Sequence, residues 1–424
     1  MSNFTHLWNQ PAVKAACAQL ASSVDQTAQD AITIQQIAAP TFAEHERARF
    51  MYDRFRALPL VDVEMDEAGN VYGRLPGREA GPGLLVSAHL DTVFPAETDL
   101  TIRREPGRIY GPGISDNSMG TAALLRLATV LCNPAYIFPC SSTPVSTAST
   151  SIPWSNGHPR VHSLHYPMHL NPRVVPRRDI WFVANVCEEG LGNLKGMWMV
   201  MRRLVSLVGA VVVLEGGAYG SVIHRGIGTH RRRLTVVTEG GHSWSDFGTP
   251  SAIHELCRFG AALAALKVPK KPRTSYNLGM IEGGTSINTI AAQATALLDL
   301  RSEEPKELQK LATKVDRLLA QVRRKGVEVR SEVIGERPAG AIAVSHPLAR
   351  AAMESMKWVG HKSPKSRTAS TDANLPLSLG IPTVCIGVSV GHNAHRLNEY
   401  VELAPLKEGL QHCYLTILAS LELF

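Results

Sequence analysis

Apolar and polar residues follow several distinct rhythms along this chain. From residue 12 to 57 the apolar positions recur at helical spacing, in AVKAACAQLASSV and again in AEHERARFMYDRFRAL. The next segment, VDVEMDEAGNVYGRLPG, alternates about a turn at Ala68, Gly69 and Asn70, the pattern of a hairpin. Three later runs are almost continuously apolar: GLLVSAHL, DIWFVANV (179–186) and AVVVLEGG (210–217). Such runs predict strands buried on both faces. A helical stretch, TAALLRLATVL (121–131), lies between the first two. Strands alternating with helices predict an α/β fold with a mostly parallel sheet flanked by helices.

Residues 226–338 change rhythm. RLTVVTEG reads as a strand, SAIHELCRFGAALAAL as a helix, and TSYNLGMIEGG and ATALLDLRS as two strands. KELQKLATKVDRLLAQVRRKG is amphipathic, with Leu308, Leu311, Val315, Leu318, Leu319 and Val322 along one side, and VEVRSEVIGE closes the unit as a strand. This β-α-β-β-α-β order predicts an inserted ferredoxin-like α+β domain. The α/β rhythm resumes near residue 340, with HPLARAAMESMKWV and IPTVCIGVS. The expected organisation is a first domain made of residues 1–225 and 339–424, interrupted by a second at 226–338. Residues 133–178 fit neither period. Pro and Ser/Thr dominate them, which predicts a disordered insertion. His158, His162, His165 and His169 fall there at near-helical spacing, but Pro159 and Pro167 argue against one continuous helix face.

The 424 residues are 44% hydrophobic and 19% charged, a globular balance suited to about two domains. The net charge of +7 comes from small clusters, Arg231–Arg233, Lys270–Arg273 and Arg323–Lys325. No continuous basic face or known module accompanies them, so a nucleic-acid partner is not expected. No apolar run approaches the ~20 residues of a membrane span. The start of the chain lacks the features of a secretory signal, and the seven Cys form no CxxC pair. Both point to a reducing, cytoplasmic setting.

Candidate chemistry gathers at the ends of the apolar runs. His89, Asp91, Asp116, Glu188 and Glu189 each stand at or beside one. Open α/β sheets place their sites at the C-terminal ends of strands. Imidazole and carboxylate oxygens suit zinc, cobalt or manganese, and one carboxylate beyond the ligands leaves a general base. Each motif also has a plainer reading. His89 and Asp91 could be a simple hydrogen-bonded pair, and Asp116 could cap the following helix. A solvated acidic pair, however, is not expected to be followed by GLG, as Glu188-Glu189 is.

Seven motifs occur in an order that resembles the M20 family of co-catalytic metallopeptidases: HLDTVF, IYGPGISDNSMG, CEEGLGNLKGM, VLEGG, GGHSWSDFGTPSA, GGTSIN and GHNAHRLNEY. The resemblance spans residues 30–132 and 179–420. That family includes carboxypeptidases, N-acyl amino acid deacylases, dipeptidases and tripeptide aminopeptidases. It implies a co-catalytic metallohydrolase fold whose inserted domain serves as lid and dimerisation domain. It further implies two divalent metal ions, zinc ahead of cobalt or manganese, held by His89, Asp116, Glu189, Glu215 and His395, with Asp116 bridging. Asp91 would orient His89, and Glu188 would be the general base toward a metal-bound water. His392 is the less fitting His of its motif. His242 would polarise the scissile carbonyl from the partner subunit of a homodimer, and Asn288 and Arg301 would contact substrate. Ser370, Thr371 and Asp372 would line the pocket wall. Ser118 stands where many relatives carry Lys, at a position that is not a ligand. The implied activity is hydrolysis of an amide bond in a small peptide or N-acyl amino acid. The alternative is a metal-binding protein of the same fold without turnover.

Overall fold

The computed structural model describes residues 4–133 and 176–423. Residues 134–175, with most of the expected insertion and its four histidines, lie outside the described residues.

The principal sheet has nine strands. Its centre is a parallel set: Ile180–Asn185 beside Gly83–His89, then Val208–Glu215, then Thr383–Gly387. The hairpin Val61–Met65 and Val71–Leu75 adds antiparallel strands at one edge. Strands Ser221–Gly226, Gly340–Ala341 and Lys365–Ala369 finish the other. Gly83–His89 and Ile180–Asn185 are buried at every position. Their alternate side chains enter two separate cores. Leu84, Val86 and Ala88 pack into one core with helices Met119–Leu131 and Leu406–Leu421. Leu85 packs into the other with helix Lys195–Leu204. Burial on both faces is why these strands read as continuous apolar runs.

Two features depart from the sequence expectation. The helical rhythm over 12–57 resolves into Pro11–Ser22, Val24–Gln35 and His45–Arg56, broken at Ser23 and again over 36–44. The C-terminal helix Leu406–Leu421 has no counterpart in the periodicity, because from Cys413 onward it is buried around its whole circumference. A helix without a polar face shows no amphipathic stripe.

The chain leaves the principal sheet after Gly226 and returns to it at Gly340, and these two residues are paired across neighbouring strands. Between them lies a separate four-stranded antiparallel sheet, in the order Thr274–Gly283, Gln293–Ser302, Gly228–Val237, Glu328–Arg337. Helices Ala252–Ala264 and Pro305–Val322 cover one face through Leu256, Phe259, Leu311 and Val315, packed on Leu234, Leu298 and Leu300. This is the ferredoxin-like arrangement. Its other face carries Arg231, Asp299 and Arg301.

A small sheet of Arg103–Glu105, Arg108–Tyr110, Tyr400–Glu402 and Gly391–His392 completes the fold. It pairs Tyr400 with Tyr110 and so brings the loop carrying His395 beside the loop that precedes Asp116. Among the described residues, no helix is long and apolar enough to cross a membrane.

Candidate metal centre

The parallel strands end together, and their ends carry the acids and histidines. His89 closes Gly83–His89, Glu215 closes Val208–Glu215, and Glu188 and Glu189 follow Ile180–Asn185. Asp116 lies on the tight segment after Gly113. Gly113 adopts φ 74°, and a side chain there would meet the Thr92 methyl at 2.7 Å. Glycine is what this turn requires.

The ligand atoms converge. His89 Nε2 lies 3.1 Å from Asp116 Oδ1 and 3.8 Å from Glu215 Oε2. His395 Nε2 lies 3.2 Å from the other Asp116 oxygen and 3.0 Å from Glu189 Oε1. Asp116 thus offers one oxygen to each histidine. His89, Asp116 and Glu189 can bring ligand atoms within 4.8 Å of one another.

Asp91 has more than one neighbour. Its Oδ1 lies 3.4 Å from His89 Nδ1. It also accepts hydrogen bonds from the backbone N–H groups of Glu188 (2.9 Å) and Glu189 (2.8 Å) and from the Thr41 hydroxyl. One buried carboxylate therefore fixes both a ring and the turn that presents the two glutamates. Glu188 points elsewhere than Glu189. Its Oε1 accepts from Arg337 Nη1 at 2.9 Å, and Arg337 also donates to the Glu188 carbonyl and, at 3.3 Å, to Ser370 Oγ.

Electrostatics follow from the crowding. Burial disfavours a charged His89 ring, but Asp116, Asp91 and Glu215 hold its proton and raise its pKa well above the usual value. Hydrogen bonds to Asp116 and Glu189 raise His395 to about 10. Burial pushes Glu215 up to about 7 and Glu188 well above its usual value. Histidines and carboxylates that compete for protons, His89 buried and His395 half exposed, form a site to which a divalent cation would bring the missing positive charge.

A cavity of about 720 Å³ opens over this cluster, lined by His89, Asp116, Glu188, Glu189, Glu215 and His395, with Arg301 and Thr371 also on its wall. His242 and Asn288 do not line it. They lie at one end of a separate two-stranded ribbon, where His242 pairs with Thr289, Ser243 N–H donates to the Asn288 carbonyl, and His242 is exposed. His392 stacks on Tyr400 and lies 3.1 Å from Glu402.

Three supporting residues escaped the sequence reading. Glu399 accepts hydrogen bonds from the N–H groups of Gly113, Ser115 and Asp116 and from the Ser115 hydroxyl. It stands in the NE pair of the last motif, so a signal for it was present. Arg337 and Arg231 carried none, because they stand on strands of the inserted domain and reach the cavity only through the tertiary fold.

Known proteins share segments of this sequence and its fold. Residues 224–327 match the family model for a peptidase dimerisation domain, and residues 70–215 match peptidase family M28. No curated protein sequence is significantly similar to the chain. A tripeptidase from Staphylococcus aureus superposes with a TM-score of 0.73 at 18% identity, covering 94% of this chain and 99% of that one. A Bacillus subtilis dinuclear metal-binding peptidase of the M20 family gives 0.64 at 14% identity, with 95% and 99% covered. An M20 family metallo-carboxypeptidase from Sulfolobus solfataricus gives 0.67 at 15% identity, with 93% and 98% covered. The chain thus carries the sequence of a peptidase dimerisation domain and, over nearly its whole length, the fold of these M20 peptidases.

Proposed function

We propose that this chain is a two-metal hydrolase that cleaves an amide bond in a small peptide or an N-acyl amino acid. The observation that carries the reading is the division of the Asp116 carboxylate, one oxygen toward His89 and one toward His395. The donor set fits two divalent ions. His89, Asp116 and Glu215 would hold one, and Asp116, Glu189 and His395 the other; zinc, cobalt and manganese all accept such ligands. When bound, the ions would supply Lewis acidity and a more acidic water.

The chain's own residues do the rest. Asp91 keeps the His89 ring in place and holds the backbone of Glu188 and Glu189. Glu188 ligates nothing in this scheme and is the general base, accepting the water proton and passing it to the leaving amine. Arg301 binds a substrate carboxylate from the cavity wall. His242 and Asn288, exposed and outside the cavity of their own chain, serve the site of a second copy. His242 donates there to the developing oxyanion. Residues 1–225 with 339–424 form the catalytic unit in this reading, and 226–338 form the lid and dimerisation domain.

The test is hydrolysis by protein loaded with zinc, cobalt or manganese, on a panel of free and N-blocked di- and tripeptides and N-acyl amino acids. The expected result is metal-dependent release of an amine at two bound ions per chain. Two bound ions without turnover of any substrate would instead make this a metal-binding protein of the same fold.

A further inference from the structure

The cavity wall opposite the carboxylates is built of arginine. Arg301 and Arg337 both pair in register with Thr229, one on each side, and therefore share a face of the inserted sheet. Arg231, two residues further along the same strand, projects from that face as well. It pairs with Asp299 on one side and Gly335 on the other. A side chain at Gly335 would lie 3.4 Å from Arg231 Cδ, so the glycine leaves the arginine stem its room. Arg231 Nη1 donates to the Gly190 carbonyl at 2.8 Å, which holds it against the loop that carries Glu188 and Glu189. From the principal sheet, Arg367 on Lys365–Ala369 lines the same cavity.

Four guanidiniums thus meet two carboxylates outside the proposed ligand set. Asp299 lies 3.5 Å from Arg231 and 2.7 Å from Arg301. Glu188 takes Arg337. Arg367 has no ion-pair partner among the described residues. Burial, together with the charge of Arg337, holds Arg231 below the usual guanidinium range, as expected for cations crowded without enough anion. A single substrate carboxylate on Arg301 would leave this excess in place.

We propose that the cavity selects substrates whose leaving amine carries two carboxylates: peptidyl or N-acyl derivatives of glutamate or aspartate. The proposal rests on the hydrolase reading above. Arg301 takes the α-carboxylate, while Arg231 and Arg367 take the side-chain carboxylate.

The experiment compares matched pairs on manganese-loaded protein: N-acetylglutamate against N-acetylglutamine, and Ala-Glu against Ala-Gln. Binding of glutarate and of its monoamide is measured in parallel by calorimetry. A charge-assisted hydrogen bond lost on amidation predicts a kcat/KM ratio of roughly 10- to 100-fold in favour of the acid. The ratio falls toward one in Arg367→Ala and in Arg231→Gln; Arg367 is exposed, so its variant is expected to fold. Turnover of both members of each pair at equal rates, or faster for the amide, overturns the proposal and leaves the hydrolase reading standing. If no pair turns over, but glutarate binds at least ~10-fold tighter than its monoamide and loses that margin in Arg367→Ala, the dicarboxylate site stands and the hydrolase reading falls. No turnover and no discrimination in binding overturns both.

Discussion

Arg337, the last residue of the inserted sheet, donates to Glu188 at 2.9 Å, and both side chains are almost fully buried, 6% and 8% exposed. The pair joins two parts of the fold at one point of the cavity. It also places a fixed positive charge on the residue assigned here as the base. Burial raises the Glu188 pKa and Arg337 opposes that rise.

Removing one partner of such a pair strands the other. Arg337→Leu should cost about 3–5 kcal/mol, since it leaves a buried carboxylate without its counter-charge. Urea unfolding of the metal-free protein measures it. A loss under ~1 kcal/mol, the value typical of exposed pairs, would show that the contact is solvated in practice.

Glu188→Gln keeps the shape of the side chain and removes its basicity. It should retain both metal ions and lose about 10²–10⁴-fold in kcat. Metal analysis of the purified variant is the check. One ion missing would mean that Glu188 is a ligand, and its role and that of Glu189 would be exchanged.

The stability of the metal-free protein should fall as pH rises. Folding lifts Glu215 and Glu399 from 4.5 to about 7, and His395 from 6.5 to about 10. Each group binds its proton more tightly when folded, so the slope of stability against pH is negative. The glutamates act between pH 4.5 and about 7. The His395 contribution is complete below 6.5 and lost toward about 10. Asp91 and Asp116 are shifted downward, so their stabilisation is lost only in stronger acid. Divalent metal should reverse the trend, because its ligands must be deprotonated. Melting curves from pH 5 to pH 9, in chelator and in zinc, test both signs. A chelated protein that melts higher at pH 9 than at pH 5 would contradict the assignment.

Glu399→Gln should weaken metal binding without touching a ligand. The carboxylate gathers three backbone N–H groups around Asp116, and an amide keeps only one acceptor oxygen. Supporting residues of this kind are typically worth 10–100-fold in metal affinity. Competition with a chromophoric chelator gives the number, and an unchanged affinity would reduce Glu399 to a loop-packing residue.

His242 is expected to act on the site of a second copy. Mixing inactive Glu188→Gln subunits with inactive His242→Ala subunits should restore activity, because a mixed dimer holds one whole site. Absence of recovery after verified subunit exchange would place His242 in its own chain's site or outside catalysis.

The sequence determined the strands, and with them the addresses of the acids. Gly83–His89, Ile180–Asn185 and Val208–Glu215 are legible because burial on both faces demands unbroken apolar runs. A charged residue that ends such a run stands out, and His89, Glu188, Glu189 and Glu215 were found that way or by their motifs. The inserted domain was equally legible, since one face of each of its helices packs and the other is solvated. Periodicity carried no sign of the helix Leu406–Leu421, which is surrounded by core.

Only the tertiary structure decided how these addresses combine. The small sheet that pairs Tyr400 with Tyr110 is what carries His395 and Glu399 to Asp116, across about 280 residues of chain. The return of the inserted sheet to the principal one is what aims Arg337 at Glu188 and Arg231 at Gly190. Local sequence records which face of a strand is apolar, because that preference acts on neighbouring residues. It does not record which distant strand a polar face will meet, because that depends on how the two sheets are joined.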